Sequence, residues 1–541
     1  MKRYLTFLCL CIISVCTQAQ KIELNYLQTR TMLTEQGDTY IEQVRYYDGL
    51  GRPFQKMTRN YPFAETDSCL LTVQGYDQTG RPDIQYLPMP RKEKYLDVPN
   101  FSLSSQFYYK DSRPYISTEY EKSPLNRIIK MTKPGEDWNG HSKTIVYGTN
   151  ADAGNWCCAY YYIDAAGKLA RNGNYQAGLL EATEETDEDG HVSYTFTNMQ
   201  GKTILTREMD GTVSHDTYYV YDDYGNLRYV LQPGYQDEPD LSLHAFCYTY
   251  DERGRCTELK KPGTGSIFYG YGNYDLMLIS QDEKQQAANL MTFYLYDKMH
   301  RLVVKGECEI PLNFAGIEQA TICTYTGPGT GIDGCGYTAN FNFPSPVLQL
   351  VNFYDDYSFR TGTGFSNTNF PAPVGNYSCG RKTGSIVYVP GQDTRLYKAY
   401  YYSMRGNLIR EVSSNLRGGY DTTETTYSFT DRPSHSTHTH TAQNAPTLTE
   451  TYDYTYDHAD RLTKVEHTFG GVKRTLLAHA YDELCRLSHT DYHGSSANRL
   501  TYSYNLRGWL TAISGSKFSQ NLYYNTGNGT PCYNGNISSM T

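Results

Sequence analysis

The sequence predicts an all-β protein, built as an antiparallel array of hairpins with a β-rich domain at its N-terminus. A Tyr-Asp unit with Gly and Arg shortly after it returns along the chain, and turn residues separate short segments rich in Thr, Tyr and Val. The 54 tyrosines among 541 residues leave few aliphatic side chains for packed cores. Single cores stop growing near about 250–300 residues, so a chain of this length forms several domains or one repeated sheet.

The unit is clearest at Tyr250-Asp251-Glu252-Arg253-Gly254-Arg255. Tyr248 and Tyr250 flank Thr249, and this period of two places both rings on one face of a strand. We expect Asp251 to accept hydrogen bonds from the amides that follow it, and Gly254 to supply the positive φ that the turn requires. Arg255 then opens the next strand. The unit is therefore a structural repeat, and it contains no arrangement that performs chemistry.

The same offsets recur at spacings of 22 to 29 residues between neighbouring copies, which indicates an array of hairpins. The predicted repeat positions are Tyr47, Asp48 and Arg52; Tyr76, Asp77 and Arg81; Tyr221, Asp222 and Gly225; Tyr250, Asp251, Gly254 and Arg255; Tyr296, Asp297 and Arg301; Tyr456, Asp457 and Arg461; and Tyr481, Asp482 and Arg486.

Four segments follow a predicted signal peptide at residues 1–19. They are an N-terminal β-rich domain (20–155), a repeat sheet (156–305), a loop-rich insertion with some strands of its own (306–397) and a second repeat sheet (398–541). Residues 85–94 are predicted to form a loop, and residues 282–291 one short helix. We expect no other helix, because no other stretch shows sustained helical periodicity.

The first residues have the order of a secretory signal, with Lys2 and Arg3, an apolar run and then Ala19, after which we expect cleavage. Lipidation of Cys16 is the alternative, although Val15 fits the position before it poorly. No later window has the roughly 18 consecutive apolar residues that a membrane span needs. The mature chain is expected to be exported, and either secreted or held at a bacterial cell surface.

Charge and cysteine content exclude two classes of protein. Without the two basic residues of the signal, 58 acidic residues face 47 basic ones, which argues against a nucleic-acid binder. Eleven cysteines remain, too thinly spread for a disulfide scaffold. Cys157 and Cys158 are adjacent, and we interpret them as buried thiols because no Cys-x-x-Cys pattern accompanies them.

Four patterns could carry chemistry, and each is better explained as ordinary structure. His435, His438 and His440 match no standard metal framework and are predicted to lie in a solvated loop. Asp187-Glu188-Asp189-Gly190 lacks the other ligands of a calcium loop. The nucleotide-like patterns at 329–334 and 201–203 lack a following helix or an earlier glycine. We predict no cofactor, no metal and no catalytic residue, although acidic pairs in turns leave a glycosidase open.

The unit at Tyr250–Arg255 and its copies resemble the YD repeats of bacterial RHS proteins. The first 155 residues resemble a domain of unknown function that precedes such repeats, through Tyr47–Pro53, Tyr76–Pro82, Tyr86-Leu87-Pro88 and Glu121–Arg127 with Trp138. This resemblance implies a long sheet that spirals into a hollow cocoon and encloses a toxic C-terminal polypeptide. The family's core segment with its self-cleaving site is not found, which suggests a truncated or split gene product.

Three functions are carried forward. The first is an exported, non-enzymatic RHS-type shell protein whose partner is the remaining core or toxin polypeptide. The second is a surface protein whose Tyr-rich sheet faces contact glycans or neighbouring cells, although packing explains the tyrosines better. The third is a carbohydrate-active enzyme. Residues 535–541 look like a turn and half a strand with no partner, so we expect association through the edge around Ile537.

Overall fold

The structure is a computed structural model that describes residues 24–61, 68–311, 317, 321–362, 364–365 and 368–541. The predicted signal peptide and Cys16 lie outside the described residues. Within them, no helix is both long enough and apolar enough to cross a membrane.

The first half of the chain contributes 22 strands and four short helices. The strands are β1 (Asn25–Met32), β2 (Tyr40–Tyr47), β3 (Pro53–Tyr61), β4 (Cys69–Tyr76), β5 (Pro82–Tyr86), β6 (Met89–Arg91), β7 (Tyr115–Tyr120), β8 (Ile128–Thr132), β9 (Lys143–Thr149), β10 (Ala159–Ile163), β11 (Leu169–Asn174), β12 (Glu181–Thr186), β13 (Val192–Thr197), β14 (Thr203–Asp210), β15 (Val213–Tyr221), β16 (Leu227–Leu231), β17 (Ala245–Tyr250), β18 (Cys256–Lys260), β19 (Ser266–Tyr271), β20 (Met277–Gln281), β21 (Leu290–Tyr296) and β22 (Leu302–Glu309). The helices are α1 (Val98–Tyr109), α2 (Gly234–Asp237), α3 (Leu241–His244) and α4 (Glu283–Ala287).

The second half contributes strands only, apart from short 3₁₀ turns. They are β23 (Thr324–Tyr325), β24 (Tyr337–Thr338), β25 (Val347–Tyr354), β26 (Lys382–Tyr388), β27 (Arg395–Tyr402), β28 (Leu408–Ser414), β29 (Tyr420–Tyr427), β30 (Pro433–His440), β31 (Leu448–Tyr456), β32 (Leu462–Phe469), β33 (Val472–Tyr481), β34 (Leu487–Tyr492), β35 (Arg499–Tyr504), β36 (Leu510–Gly515), β37 (Ser519–Tyr523) and β38 (Ser539–Met540).

Across the described residues, 34 of these strands form one antiparallel sheet, which confirms the predicted all-β hairpin array. Most successive strands pair with each other. The exceptions are β6, which pairs with β4, and β5, β9 and β22, which continue directly to β7, β12 and β25. The hairpins β10–β11 and β23–β24 form separate two-stranded sheets. The sheet is a long strip rather than a barrel, because its two ends, β1 and β38, do not pair with each other.

One face of the strip is packed, and we call it the covered face. Cross-strand partners place Ala182, Phe196, Leu205, Tyr218 and Leu231 in a single row, and each is at most 5% exposed. The β10–β11 hairpin packs on this row through Ala159, Tyr161 and Ile163. Since side chains alternate between the two faces of a strand, the same register also fixes which residues lie on the opposite face.

Two other elements pack on the same face. Helix α1 inserts Phe101 against Met57 and Leu71 of β3 and β4. Loops between β22 and β26 bring Phe343 and Phe359 onto Phe293 and Phe353. The strip therefore has three separate apolar cores, one under each covering element.

Several predictions about local structure were wrong. Helix α1 was not expected, because its buried residues Phe101 and Ser105 form no apolar stripe. It is set by its ends: the Asp97 side chain accepts the Asn100 amide, and Lys110 ends the helix with φ 53°. Residues 85–94 contain the end of β5 and all of β6 rather than a continuous loop. The predicted short helix at 282–291 is present as α4.

The region predicted as an insertion also contributes to the main strip. Strands β25 and β26 lie inside residues 306–397 and pair with β22, with each other and with β27. The segments between them supply the covering loops. The C-terminal residues differ from expectation too, because Ser539 and Met540 pair with Tyr523 and Leu522, so this strand has a partner.

The cysteines are thiols. All eleven in the described residues are free, and Cys158 is fully buried beside Ala159. Burial raises the pKa of the Cys158 thiol to about 12, so it stays protonated at neutral pH. Cys158 therefore lacks the thiolate that redox chemistry needs.

Candidate functional site

The repeat unit forms one hydrogen-bonded turn. In the copy at Tyr250–Arg255, the Asp251 amide donates to the Arg255 carbonyl at 3.0 Å, and the Gly254 amide donates to the Asp251 carbonyl at 3.0 Å. Asp251 Oδ1 accepts from the amides of Arg253 and Arg255 at 2.9 and 3.0 Å. Gly254 has φ 75°, while His300 and Cys485 adopt φ 61° and 66° at the same position of other turns. The side-chain oxygen of Asp thus holds the turn even where Gly is replaced.

The arginine of each unit binds the aspartate of its own turn. Its Nε donates to Asp Oδ2 at 2.7 or 2.8 Å in six copies: Arg52–Asp48, Arg81–Asp77, Arg255–Asp251, Arg301–Asp297, Arg461–Asp457 and Arg486–Asp482. Hydrogen bonds from the Arg81 amide and from Thr79 hold the pKa of the Asp77 carboxyl below its usual range. The hydrogen bond to Asp251 raises the pKa of Arg255. The Asp77 carboxylate and the Arg255 guanidinium therefore stay charged.

The same guanidinium lies over the tyrosine ring of the following unit, at 4.3–4.9 Å from the ring centroid. The pairs are Arg52–Tyr76, Arg81–Tyr120, Arg255–Tyr271, Arg301–Tyr354, Arg461–Tyr481 and Arg486–Tyr504. Cation–π contacts of this kind contribute about 0.5–1 kcal/mol each at exposed sites. Each arginine thereby joins its own turn to the next hairpin.

The tyrosine hydroxyl completes the link, because it donates to a backbone carbonyl in the preceding hairpin. The bonds, 2.7–2.9 Å long, are Tyr76–Pro53, Tyr120–Pro82, Tyr250–Leu227, Tyr296–Met277, Tyr456–Pro433, Tyr481–Leu462 and Tyr504–Leu487. Burial raises the pKa of Tyr250 to about 12, which keeps its hydroxyl a donor. We call these bonds the tyrosine links.

Two predicted repeat positions depart from this scheme. Tyr221 lies under Lys202, whose Nζ is 5.1 Å from the ring centroid and donates to the Gly225 carbonyl at 2.7 Å. Asp222 holds its turn through the Asn226 amide at 2.8 Å, and Gly225 has φ 83°. Tyr47 lies at the end of β2, and only β1 precedes it in the described strip, so there is no preceding hairpin to which a tyrosine link could run.

The tyrosine links were not foreseen from the sequence, which indicated tyrosine packing alone. They also use tyrosines outside the predicted positions, namely Tyr147, Tyr271, Tyr402, Tyr427 and Tyr524. The signal is a tyrosine at or near a strand end, 14 to 23 residues after the residue that starts the second strand of the preceding hairpin; Tyr120, 38 residues after Pro82, is an exception.

The tyrosine links lie on the face opposite the covered face. The residue before each repeat tyrosine is part of a core in several copies: Tyr46, Val220, Leu295, Phe353 and Tyr401. Because neighbouring residues of a strand point to opposite faces, the tyrosine that follows points away from that core.

The strip turns back on itself, and we call the contact the seam. Trp138, between β8 and β9, meets Trp509 and Tyr533 with centroid distances of 6.0 and 5.6 Å. His141 stacks on Tyr533 at 3.4 Å, and Trp138 Nε1 donates to the Tyr533 carbonyl at 2.9 Å. The seam therefore joins residues almost 400 positions apart without a β-ladder.

A half-buried cation lies at the centre of the seam. The Arg507 guanidinium is 3.4 Å from the Trp138 ring and 5.1 Å from the Trp509 ring, and its Nε donates to the Pro134 carbonyl at 2.7 Å. Its Nη2 is buried without a hydrogen-bond partner among the described residues. Burial lowers the pKa of Arg507 to about 9, whereas hydrogen bonds to aspartate raise the pKa of Arg255 and Arg301 in the repeat turns. The two tryptophan rings contact this cation, and the nearby carboxylates of Glu188 and Asp111 favour its charged form.

Carboxylates fix the other side of the seam. Asp189 accepts the Tyr533 amide at 2.5 Å, and Asp187 accepts from the Asn534 side chain at 3.1 Å. Lys133 donates to the Asn534 carbonyl and pairs with Glu188, which is 5% exposed. The acidic turn that resembled a calcium loop thus binds the chain itself. Asp187, Asp189 and His191 approach one another closely enough to offer ligands, but Asp187 and Asp189 already accept seam hydrogen bonds.

The histidine group was wrongly predicted as a loop. His435, His438 and His440 lie on β30, where alternation places His435 on the covered face and the other two on the opposite face. Each pairs with a different carboxylate, Asp453, Glu450 or Asp421. These three histidines therefore cannot share one metal ion.

In the described part of the chain, the covering loops reach β29, where Phe370 packs on Tyr420 with the ring centroids 5.7 Å apart, and no element covers the polar face beyond that contact. At its border lies a cavity of about 960 Å³, bounded by Tyr401, Arg410, Glu424 and His435 on the strip and by residues 372–374 of the covering loops. Glu35, from the β1–β2 turn, also lines it. The polar groups on its floor are already paired, since Arg410 binds Glu424 and His435 binds Asp453 and Thr437.

Comparisons with known proteins agree with the fold. Residues 20–151 match the model of DUF6443, a domain of unknown function. No curated protein is significantly similar in sequence.

Solved structures of Tc toxins have a similar fold. The crystal structure of TcdB2-TccC3 matches 90% of the chain with a TM-score of 0.56 at 14% identity. The Photorhabdus luminescens Tc holotoxin pore carrying the TccC3-D651A mutation matches 95% with a TM-score of 0.59, also at 14% identity. The chain spans about a fifth of these proteins, 22% in both cases. The described strip thus has a β-rich fold similar to that of these Tc toxin structures.

Proposed function

We propose that this protein is an exported RHS-type shell protein that forms one turn of the wall of a β-structured container and has no catalytic activity. The observation that carries the proposal is the seam, because a strip that meets itself bounds a space. The fold likeness to Tc toxin structures supports the same conclusion. The enclosed partner is proposed to be a core or toxin polypeptide, and export is proposed to use the N-terminal signal.

The dimensions are consistent with a wall. Roughly two dozen strands separate the two sides of the seam, and at about 4.8 Å per strand they give a perimeter of about 115 Å. A circle of that perimeter is about 37 Å across. The tyrosine links along one face hold successive hairpins at constant spacing, which suits a uniform curved wall better than a reaction centre.

The glycan-binding alternative gains no support. A ring that stacks on a sugar needs a free face, but in the repeat units an arginine occupies one face of the tyrosine and a carbonyl accepts its hydroxyl. The enzyme alternative rests on turn carboxylates such as Asp251 and Asp457, and these are engaged by their own arginines.

Opening the seam tests the proposal. The double variant Trp138→Ala with Arg507→Ala removes the two side chains at the centre of the seam. It leaves the backbone hydrogen bonds between the strands in place. Small-angle X-ray scattering of the mature chain is expected to show a compact particle for the wild type and a larger maximum dimension for the variant. Trp156→Ala is the matched control, because Trp156 packs on Tyr194 away from the seam.

Two results would count against the wall. One is a wild-type scattering curve of an extended, open strip. The other is a seam variant with unchanged dimensions and unchanged amide exchange at residues 525–536. A protease-sensitive peptide fused after Thr541 extends the test, since enclosure predicts slower cleavage in the wild type than in the seam variant.

A further inference from the structure

The first strand of the strip has a free edge. Strand β1 pairs with β2 on one side, and no described strand pairs with its other side. All eight of its residues are exposed, including Tyr26, Leu27 and Met32 at 55, 51 and 43%. An edge of this length is normally protected by lysine, proline or a bulge. Strand β1 has none of these, and its one charge, Arg30, is already paired with Glu42.

The hydrogen-bonding groups on this edge can be assigned from the register. The Leu33 amide donates to the Thr39 carbonyl, and the pairing continues without a shift from Met32–Tyr40 to Asn25–Tyr47. In an antiparallel pair, hydrogen-bonded and non-hydrogen-bonded positions alternate. Odd-numbered residues of β1 therefore bond to β2. The amides and carbonyls of Tyr26, Gln28, Arg30 and Met32 point outward.

We propose that this edge pairs with β1 of a second copy of the chain, in an antiparallel arrangement that joins two strips into one sheet. The opposite end of the described strip offers a shorter edge, because β38 has two residues against eight in β1. Growth from head to tail is thus disfavoured, whereas a twofold contact closes after two copies.

Self-pairing also satisfies the side chains. A twofold axis between two antiparallel strands stands perpendicular to the sheet, so the covered face of one copy continues into that of the other. With Gln28 on the axis, Arg30 lies opposite Tyr26 of the second copy, and like charges do not meet. Arg30 already lies 4.8 Å from the Tyr40 ring centroid, which shows that its guanidinium tolerates an aromatic neighbour.

The experiment compares the mature wild-type chain with Gln28→Pro and Gln28→Ala by light scattering coupled to size exclusion. Proline removes an outward amide without removing a backbone bond to β2, while alanine keeps the amide; both variants lose the side-chain hydrogen bond from Gln28 to Glu42 of β2, so alanine controls for that loss. The wild type and Gln28→Ala are expected to double in mass between roughly 1 and 100 µM, as suits a small interface. Gln28→Pro is expected to keep the mass of one chain.

Amide exchange on the wild type gives a second measurement that does not depend on the proline variant folding. The amides of Tyr26, Gln28, Arg30 and Met32 are expected to exchange more slowly at high protein concentration than at low. A wild type with the mass of one chain at every concentration would overturn the proposal. A dimer that survives in a folded Gln28→Pro variant, or concentration-independent exchange at these four amides, would overturn it as well.

Discussion

Two ion pairs on the covered face show how differently its two regions are built. Arg207–Asp216 and Arg410–Glu424 each join directly opposite residues of neighbouring strands, with an Nε–O distance of 2.7 and 2.6 Å. The first pair is 7 and 9% exposed, and the second is 34 and 47% exposed. The geometry of the strip is the same at both places, so the difference comes from what lies above it.

The β10–β11 hairpin and the segment that directly precedes it in the chain supply that difference. The carbonyls of Asn155 and Cys157 accept from Arg207 Nη1 at 2.7 and 3.1 Å, and the Tyr218 hydroxyl donates to Asp216 at 3.1 Å. Burial lowers the pKa of Arg207, but its hydrogen bonds to Asp216 outweigh this and leave the pKa raised. At this place the covered region therefore depends on a buried, hydrogen-bonded ion pair, whereas the region after β28 relies on backbone pairing and the turn edge.

The largest expected effect is on the buried ion pair. Asp216→Ala leaves Arg207 buried without its partner, and is expected to cost about 3–5 kcal/mol in the opening free energy of β14 and β15. Glu424→Ala is the matched variant in the exposed pair and is expected to cost less than about 1 kcal/mol. Native-state hydrogen exchange measures both locally. Equal costs would show that covering does not distinguish the two regions.

Apolar side chains are expected to follow the same division. Phe293 is fully buried and stacks on Phe343 at 4.4 Å, so Phe293→Ala should cost about 3–5 kcal/mol. Phe469, on β32, is 49% exposed, and Phe469→Ala should change stability by no more than about 0.5 kcal/mol. Hydrogen exchange of β21 and β32 reads out each variant. Phe469 lies on the opposite face, where Glu450 is its cross-strand partner, so a large cost there would show that exposure does not decide what an apolar side chain contributes.

The sequence indicates part of the difference between the covered region and the region after β28. Before the repeat tyrosine, the covered region has apolar residues such as Val220, Leu295 and Phe353, while the later copies have Thr426, Thr455 and Ser503. Since this position points toward the covered face, its polarity indicates whether a core lies there. The hairpin array and its turns were predictable for the same reason, because period-two alternation and turn residues are local signals.

The seam, the covering elements and the tyrosine links were not predictable. Trp138 and Tyr533 are 395 positions apart, and no local pattern indicates that they meet. Helix α1 carries no apolar stripe, so its position over β3 and β4 follows from tertiary packing. The links depend on the distance between successive hairpins, which is a property of the folded strip.

The tyrosine links should be equally strong in both regions, because they belong to the shared turn edge. Tyr296 and Tyr481 donate to the preceding hairpin at 2.8 Å each, one in the covered region and one beyond it. Tyr296→Phe and Tyr481→Phe should each cost about 0.5–1.5 kcal/mol in local opening. Hydrogen exchange of the accepting hairpin is the measurement. If only Tyr296→Phe, in the covered region, lowered the local opening free energy, the tyrosine links would be a consequence of core packing.

The smallest expected effect is a pH dependence of the same edge, and Glu121 provides the test. Its hydrogen bonds with Arg127 lower the pKa of the Glu121 carboxyl to about 2. The folded-state value is below the unfolded value of about 4.3, so its stabilising contribution is complete above that pH and is lost as the pH falls toward 2. Opening of β7 and β8 should become easier over this range, and Glu121→Gln should flatten the profile. Glu119→Gln is the matched control on the same strand, where the carboxylate pairs with Lys130 at 60 and 42% exposure. An identical acid profile in the wild type and Glu121→Gln would show that this turn does not depend on its carboxylate.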